Sequence, residues 1–378
     1  MAVSFVDRIF DNPLLYTPFE NFSALLVYSL QVYADFSGYT DIAIGVAMLM
    51  GFYLPTNFRS PYKATNPAGF WKRWHISLSN WLKDYLYIPL GGNRNGTLGT
   101  YLIPTVMLLV VALMAKSTWV WLVAAGAVVV LTLDYLIFPR HRKDFTTNLN
   151  NFDTMLLGGM WHGASFNFIT WGALNGLGIL VYKSWKKWGP WTRIIVISLV
   201  YVAIKAAYHY CPYPVLSMFH FAFMVIAAAI VLLNLVPAFG GKHYHGSKFK
   251  VTVTMVWNTF LTFIFISFTR LFFRSGSNLD PAEANEVAWR TATQMVERIG
   301  SHWNLEQIPA ILQNYSTVFI IFLIGMVVHW LPERFKRRYR LWFAQMPFVL
   351  MVLVVVLAVF VVYQFITADL QPFIYFQF

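Results

Sequence analysis

Long apolar runs alternate with short basic segments along this chain, and the length of the runs sets the elements that the pattern predicts. Runs of about 18–25 residues are long enough to cross a hydrocarbon core of roughly 30 Å as helices. They fall at 98–115, 119–138, 165–182, 193–210, 215–237, 251–273, 315–331 and 341–366. Residues 22–53 form a further element, one long span that Gly38 can break, because Asp35, Gly38 and Asp41 interrupt its apolar character. Acids at that depth are costly in lipid, so this segment must face protein or water. With about nine spanning segments, the pattern predicts an all-α, polytopic helical membrane protein built as a single domain over residues 1–378. The short alternating segments of a β-barrel are absent. Residues 1–21 form a short amphipathic lead-in; Asp7, Arg8, Asp11 and Pro13 break it up, so it lacks the pattern of a cleavable signal peptide.

Residues 54–97 are polar by comparison, and their centre, 70–86, has helical periodicity. Phe70, Trp74, Leu78, Trp81, Leu82 and Tyr85 recur at three- and four-residue steps, with Lys72, Arg73 and Lys83 off that stripe. This predicts an interfacial helix with tryptophans at headgroup level and cations towards phosphate or water. His75 lies on it beside Trp74, with Ser79 one turn on. Pro89-Leu90-Gly91-Gly92-Asn93 then supplies strong turn signals.

Composition agrees with the membrane reading: 58% of residues are hydrophobic and only 12% charged, too little polar surface to cover a soluble globule. The net charge of +12 would suit nucleic acid, but its distribution argues for topology instead. Segments 54–97, 139–152, 183–193, 239–250 and 333–340, taken as cytoplasmic, hold 21 of the 28 Lys and Arg against 3 acids. The opposite side holds 5 cations against 9 acids, which leaves the C-terminus extracytoplasmic. The 334–340 run, with five cations, is most simply an anchor to anionic membrane lipid. A single cysteine, Cys211, excludes an intrachain disulfide and any multi-thiolate metal site.

The charge pattern also shapes the segment 153–182. Its basic flanks place both ends in the cytoplasm, yet two full crossings need about forty residues. A re-entrant element is expected, with a short limb at 153–160, a turn at Gly158-Gly159-Met160-Trp161-His162-Gly163, and a long limb from about Ser165. Irregular backbone at depth is tolerated where it lines a cavity, which turns His162 towards an internal passage. A buried neutral imidazole suits proton transfer at pH 7, and flanking glycines let a substrate or another backbone approach closely. Asp35 and Asp41, six residues apart, share no helix face unless Gly38 breaks the helix; cation binding, orientation of a histidine and pairing with a loop arginine all stay open. His243 and His245 sit in a basic loop without further ligands in view, and no metal site is predicted. Neither a phosphate-cradling glycine loop nor a Gly-x-Ser-x-Gly elbow is present.

Four blocks then carry a resemblance. They are Leu30-Gln31-Val32-Tyr33-Ala34-Asp35-Phe36-Ser37-Gly38-Tyr39-Thr40-Asp41; Phe70-Trp71-Lys72-Arg73-Trp74-His75-Ile76-Ser77-Leu78-Ser79-Asn80-Trp81-Leu82 with Tyr85 to Asn93; the stretch 158–176; and Pro372-Phe373-Ile374-Tyr375-Phe376. Together they resemble the membrane-bound O-acyltransferases, and within them the bacterial branch that includes the alginate O-acetylation membrane protein. The resemblance implies a multi-pass protein of the bacterial inner membrane, a ring of helices around a thin funnel, with His162 as the signature membrane histidine and His75 as a second important one. Asp35, Tyr39, Trp74, Ser79, Trp161 and Asn167, all within these blocks, are the candidate substrate-binding residues. It further implies acetyl-CoA as acyl donor with no bound cofactor, an extracytoplasmic SGNH-type esterase or transferase as partner, and a polysaccharide acceptor. Members of this branch carry more spanning helices ahead of the first block, so the chain reads as lacking that part. A transporter or channel with a mid-membrane His/Asp site, and a non-catalytic subunit of an acylation complex, are the competing expectations.

Overall fold

The structure is a computed structural model that describes residues 2–94, 96–115, 118–137, 142–163, 165–210, 214–239, 248–276 and 284–365. Its longer helices are α1 (Pro18–Leu49), α2 (Leu98–Ala115), α3 (Thr118–Ile137), α4 (Arg142–Trp161), α5 (Phe166–Lys187), α6 (Pro190–Tyr210), α7 (Pro214–Phe239), α8 (Lys248–Ser275), α9 (Ala284–Gly300), α10 (Ser316–Trp330), α11 (Glu333–Ala344) and α12 (Phe348–Phe365). No strand occurs among the described residues. The protein is an all-α polytopic helical membrane protein. Among the described residues, Pro190–Tyr210 and Thr252–Ser275 are each long and apolar enough to cross a bilayer. Two bent pairs reach that length jointly, Leu305–Asn314 with Ser316–Trp330 at 85° and Glu333–Ala344 with Phe348–Gln364 at 119°. Cys211, His243, His245 and the 372–376 block lie outside the described residues, as does the C-terminal segment whose side of the membrane was expected.

Helix α1 starts at a capping box. Thr17 Oγ1 accepts from the Glu20 N–H, Glu20 Oε2 accepts from the Thr17 N–H at 2.8 Å, and Pro18 takes the first position. It then runs unbroken for 32 residues, about 48 Å. The break held open at Gly38 does not occur, so Asp35 and Asp41 sit on one continuous helix, half-buried and exposed respectively.

The lead-in is more than an amphipathic prelude. Phe5, Val6, Ile9 and Phe10 are buried in the main core with Tyr28, Phe70, Trp74, Ile266 and Met295. Asp7 pairs with Arg274 of α8 at 3.0 Å, and Arg298 Nε of α9 donates to the Tyr16 carbonyl at 2.6 Å. Helix α9 lies in a stretch read from the sequence as extracytoplasmic loop. Ala288, Ala292, Met295, Val296 and Ile299 form its buried face, while Glu286, Arg290 and Glu297 are exposed. A half-polar helix falls below any hydropathy criterion for a span, yet it packs on α1, α5 and α8.

Two predicted elements differ in shape. The expected interfacial helix over 70–86 is divided into Pro67–Trp71, Ile76–Leu82 and a π-helical turn, Lys83–Tyr87. The division falls at His75, which adopts the left-handed conformation (φ 44°, ψ 58°) and so turns the chain. The limb before the His162 turn is also longer than predicted. Helix α4 begins at Arg142 and not at Asp153, giving limbs of 20 and 22 residues. Its polar first half finds partners that a hydropathy reading cannot foresee: Asn150 accepts from Thr100 Oγ1 at 2.7 Å and donates to the Gly92 carbonyl at 3.1 Å. Lys187 meets Asp144 at 2.7 Å, which closes the open end of the α4–α5 hairpin.

The segment 54–66 docks on the α10–α11 junction. The Tyr62 N–H donates to His329 Nε2 at 3.2 Å, Lys63 Nζ to the Leu331 carbonyl at 2.9 Å, and Ser60 Oγ to Glu333 at 2.9 Å. These contacts put two of the basic segments on one face of the molecule.

Candidate functional site

His162 occupies the turn of the hairpin. Its N–H closes the end of α4 on the Gly159 carbonyl at 3.0 Å, and Ser165 caps α5 by accepting from the Asn167 N–H. The Phe166 N–H donates across to Asn285 Oδ1 of α9 at 2.8 Å, so a third helix holds the turn in place. The imidazole is only 8% exposed. Trp171 and Phe273 meet it edge-on at 5.1 and 5.2 Å, and Trp161 does so at 5.0 Å. Such a ring cluster shields the nitrogen bases from bulk water while leaving their lone pairs chemically competent.

His75 stands on a separate element, at the start of the Ile76–Leu82 helix. Its Nδ1 lies 3.4 Å from Asn57 Oδ1, and that oxygen also accepts from the Ser77 N–H and hydroxyl at 3.0 and 2.8 Å. The tautomer that donates from Nδ1 to Asn57 puts the basic lone pair on Nε2. Phe36 packs edge-on against the ring at 4.7 Å. Burial pushes the imidazole down to about 4, so His75 is neutral at pH 7. A left-handed backbone at a non-glycine residue costs on the order of 1–3 kcal/mol and persists where surroundings over-determine it; here Asn57 also accepts from the Ile76 N–H at 3.0 Å.

Between the two histidines runs a bridge of rings. Trp74 is stacked on Phe70 at 5.5 Å and is itself covered by the Arg270 guanidinium at 4.1 Å. Arg270 lies 5.9 Å from Phe273, the ring that touches His162. Trp71 completes a second connection, 5.4 Å from Trp171 and donating Nε1–H to Asn175 Oδ1 at 3.3 Å. His162, Arg270 and His75 are thus linked through Phe273, Trp74 and Phe36 into one ring-lined centre.

The remaining candidates divide. Trp74 belongs to the centre. Asp35 is half-buried one residue before Phe36, whereas Tyr39 and Trp161 are 48% and 58% exposed, with Trp161 reaching back to the His162 ring. Ser79 Oγ donates to the Trp71 and Trp74 carbonyls, tying off the helix before His75. Asn167, buried, donates to Ser275 Oγ at 2.7 Å and to the Ala288 carbonyl at 3.0 Å. It therefore clamps α5 to α8 and α9. Asn167→Ala is expected to cost about 1–3 kcal/mol, the usual price of orphaning buried partners, seen as a lower Tm of the detergent-purified chain.

Arg270 and Asn285 escaped the sequence reading. A lone arginine inside the 251–273 apolar run was the available signal, since an ionisable group in a span marks function more often than packing. For Asn285 no sequence signal exists, because its role depends on the docking of α9.

Residues 3–156 match the model of MBOAT, the membrane-bound O-acyltransferase family. That segment contains His75 and ends short of His162. A probable alginate O-acetylase of Pseudomonas putida is 40% identical over 159 residues, 42% of this chain and 23% of the relative. A peptidoglycan O-acetyltransferase of Helicobacter pylori is 36% identical over 182 residues, 48% of this chain and 26% of the relative. A teichoic acid D-alanyltransferase of Bacillus subtilis is 26% identical over 183 residues, 46% of this chain and 36% of the relative. The chain thus spans about a quarter to a third of the length of these relatives.

Proposed function

We propose, from a chain whose residues 3–156 match the membrane-bound O-acyltransferase family model, that this protein transfers an acyl group, acetyl in the first instance, from a thioester donor to a hydroxyl of an extracytoplasmic polysaccharide. The observation that carries the reading is this ring-linked centre: His162 and His75, on separate elements, joined through Phe273, Arg270, Trp74 and Phe36. The names of the relatives, an alginate O-acetylase and a peptidoglycan O-acetyltransferase, support acetyl and a glycan. Delivery through an extracytoplasmic SGNH-type partner is part of the same proposal.

The chemistry assigns one proton and one carbon centre. A hydroxyl of the acceptor attacks the thioester carbonyl carbon while a ring nitrogen of His162 takes its proton. The new C–O bond forms as the carbonyl π pair moves onto oxygen. Collapse re-forms the carbonyl, breaks C–S, and returns the proton from the imidazolium to the departing sulfur. The products are an ester and a free thiol. The aromatic wall around His162 limits competition from water, which would otherwise hydrolyse the thioester.

Purified full chain given acetyl-CoA and a hydroxyl-bearing glycan is expected to release thiol in step with ester formation. Movement of solute into liposomes without thiol release would instead support a transporter.

His75 serves the donor side of the centre. His75→Gln keeps a donor for Asn57 and removes the base; transfer is expected to fall at least tenfold with little change in Tm at pH 7.5. Acid sharpens the test. A histidine with a folded-state value near 4 and an unfolded value of 6.5 contributes stability that is intact above 6.5 and is lost as pH falls towards 4. The wild-type chain should lose Tm across that window by more than His75→Gln does; equal acid slopes would remove His75 from the account.

A further inference from the structure

Helix α8 carries two arginines one turn apart that are treated differently. Arg274 has Asp7 at 3.0 Å, whereas Arg270, 2% exposed, forms no ion pair among the described residues. Its guanidinium lies over the Trp74 ring, and the Tyr62 hydroxyl, whose ring is tilted against Trp74, donates to the Ser29 carbonyl. The Arg270 Nε–H is buried without a hydrogen-bond partner among the described residues. A buried guanidinium is expensive unless paired and fully hydrogen-bonded. A buried cationic donor with no acceptor among the described residues is a site for a group that has only lone pairs to offer.

We propose that Arg270 receives an anionic oxygen of the substrate at the centre, and that this oxygen is the one generated at the thioester carbonyl. Its identity rests on the acyl-transfer reading; the existence of the anion site does not. As the acceptor oxygen bonds to the carbonyl carbon, the π pair passes to the carbonyl oxygen, and Arg270 Nε–H donates to it. When C–S breaks, that pair re-forms C=O and the sulfur leaves with the proton held by His162. Nothing is oxidised or reduced. The position suits the step, because Arg270 sits between Trp74, next to His75, and Phe273, against His162.

The test uses the detergent-purified full chain and the variants Arg270→Met and Arg270→Lys. Removing a preorganised oxyanion donor lowers kcat by about 10²–10³-fold, so Arg270→Met is expected to lose that much with KM within threefold, and Arg270→Lys to recover part of it. Since Met fills the space of an unpaired buried charge, Tm is expected to stay level or rise. A rise in KM together with weaker coenzyme A binding would place a permanent phosphate or carboxylate of the substrate at Arg270, which upholds the anion site and overturns the oxyanion assignment. Wild-type kcat and KM in Arg270→Met overturn both, as does a fall in Tm that accounts for all lost activity. Should the wild-type chain itself release no thiol, the acyl-transfer reading fails separately. Acetate and inorganic phosphate then decide the site: stabilisation of wild type but not of Arg270→Met upholds it, and equal response overturns it.

Discussion

His162→Ala is expected to abolish acyl transfer, by about 10²–10⁴-fold for loss of a general base, while the chain still inserts and folds. The reason to expect so clean a separation is the way the residue is held. Its backbone closes α4 on Gly159, and Ser165 and Asn285 secure the start of α5, so the turn does not depend on the imidazole. The ring does pack against Trp171 and Phe273, and truncation leaves a cavity worth about 1–3 kcal/mol. His162→Gln fills most of that space without supplying a base, so the two variants should be equally inactive and unequally stable. Thiol release per folded molecule checks this. Activity in His162→Gln near the wild-type level would end the general-base assignment.

The second large effect is structural. Gly172→Ala should strip the chain of much of its folded population, because the two limbs of the hairpin touch backbone to backbone. A Cβ at Gly172 would stand 2.5 Å from the Met155 carbonyl oxygen and 3.1 Å from the Gly159 Cα. Neither atom can yield without parting the helices. The cost is at least that of overpacking a core, about 1–3 kcal/mol, and moving His162 with the turn would remove activity too. Gly176→Ala meets chiefly the Phe152 ring, which can rotate away, and should be milder. Gly38→Ala has nothing within 4 Å and should stabilise α1 by about 0.5–1 kcal/mol. The order of the three, measured as Tm or as yield of monodisperse protein, distinguishes close helix contact from a general demand for glycine.

The membrane class and most helix positions were legible because they depend on runs of like residues. Helix α2 falls at the predicted 98–115, and α6, α8 and α10 lie close to their expected limits. The reading failed where partners lie far along the chain. Thr146, Asn150 and Asn151 look like loop, yet they are helical, and Thr100 and Gly92 take up the polar edge of Asn150. Helix α9 was lost because half its face is charged. A break at His75 could not be foreseen either, since periodicity runs straight through it and only the hydrogen bonds to Asn57 select the left-handed turn. The site was half legible: the two histidines stand out by their neighbours, while Arg270 becomes interpretable only once Asp7 is seen to pair with Arg274 alone.

The glycine contacts of the hairpin also act as a vernier. Each residue added to a helix advances it about 1.5 Å and turns it by about 100°. One residue inserted between Phe152 and Gly159 would therefore swing the notch at Gly159 away from Gly172 and present a side chain in its place. The register of α4 against α5 is discrete, and with it the height at which the imidazole stands: evolution can exchange side chains along these limbs freely, but can lengthen them only in steps that bring a glycine back to the same face.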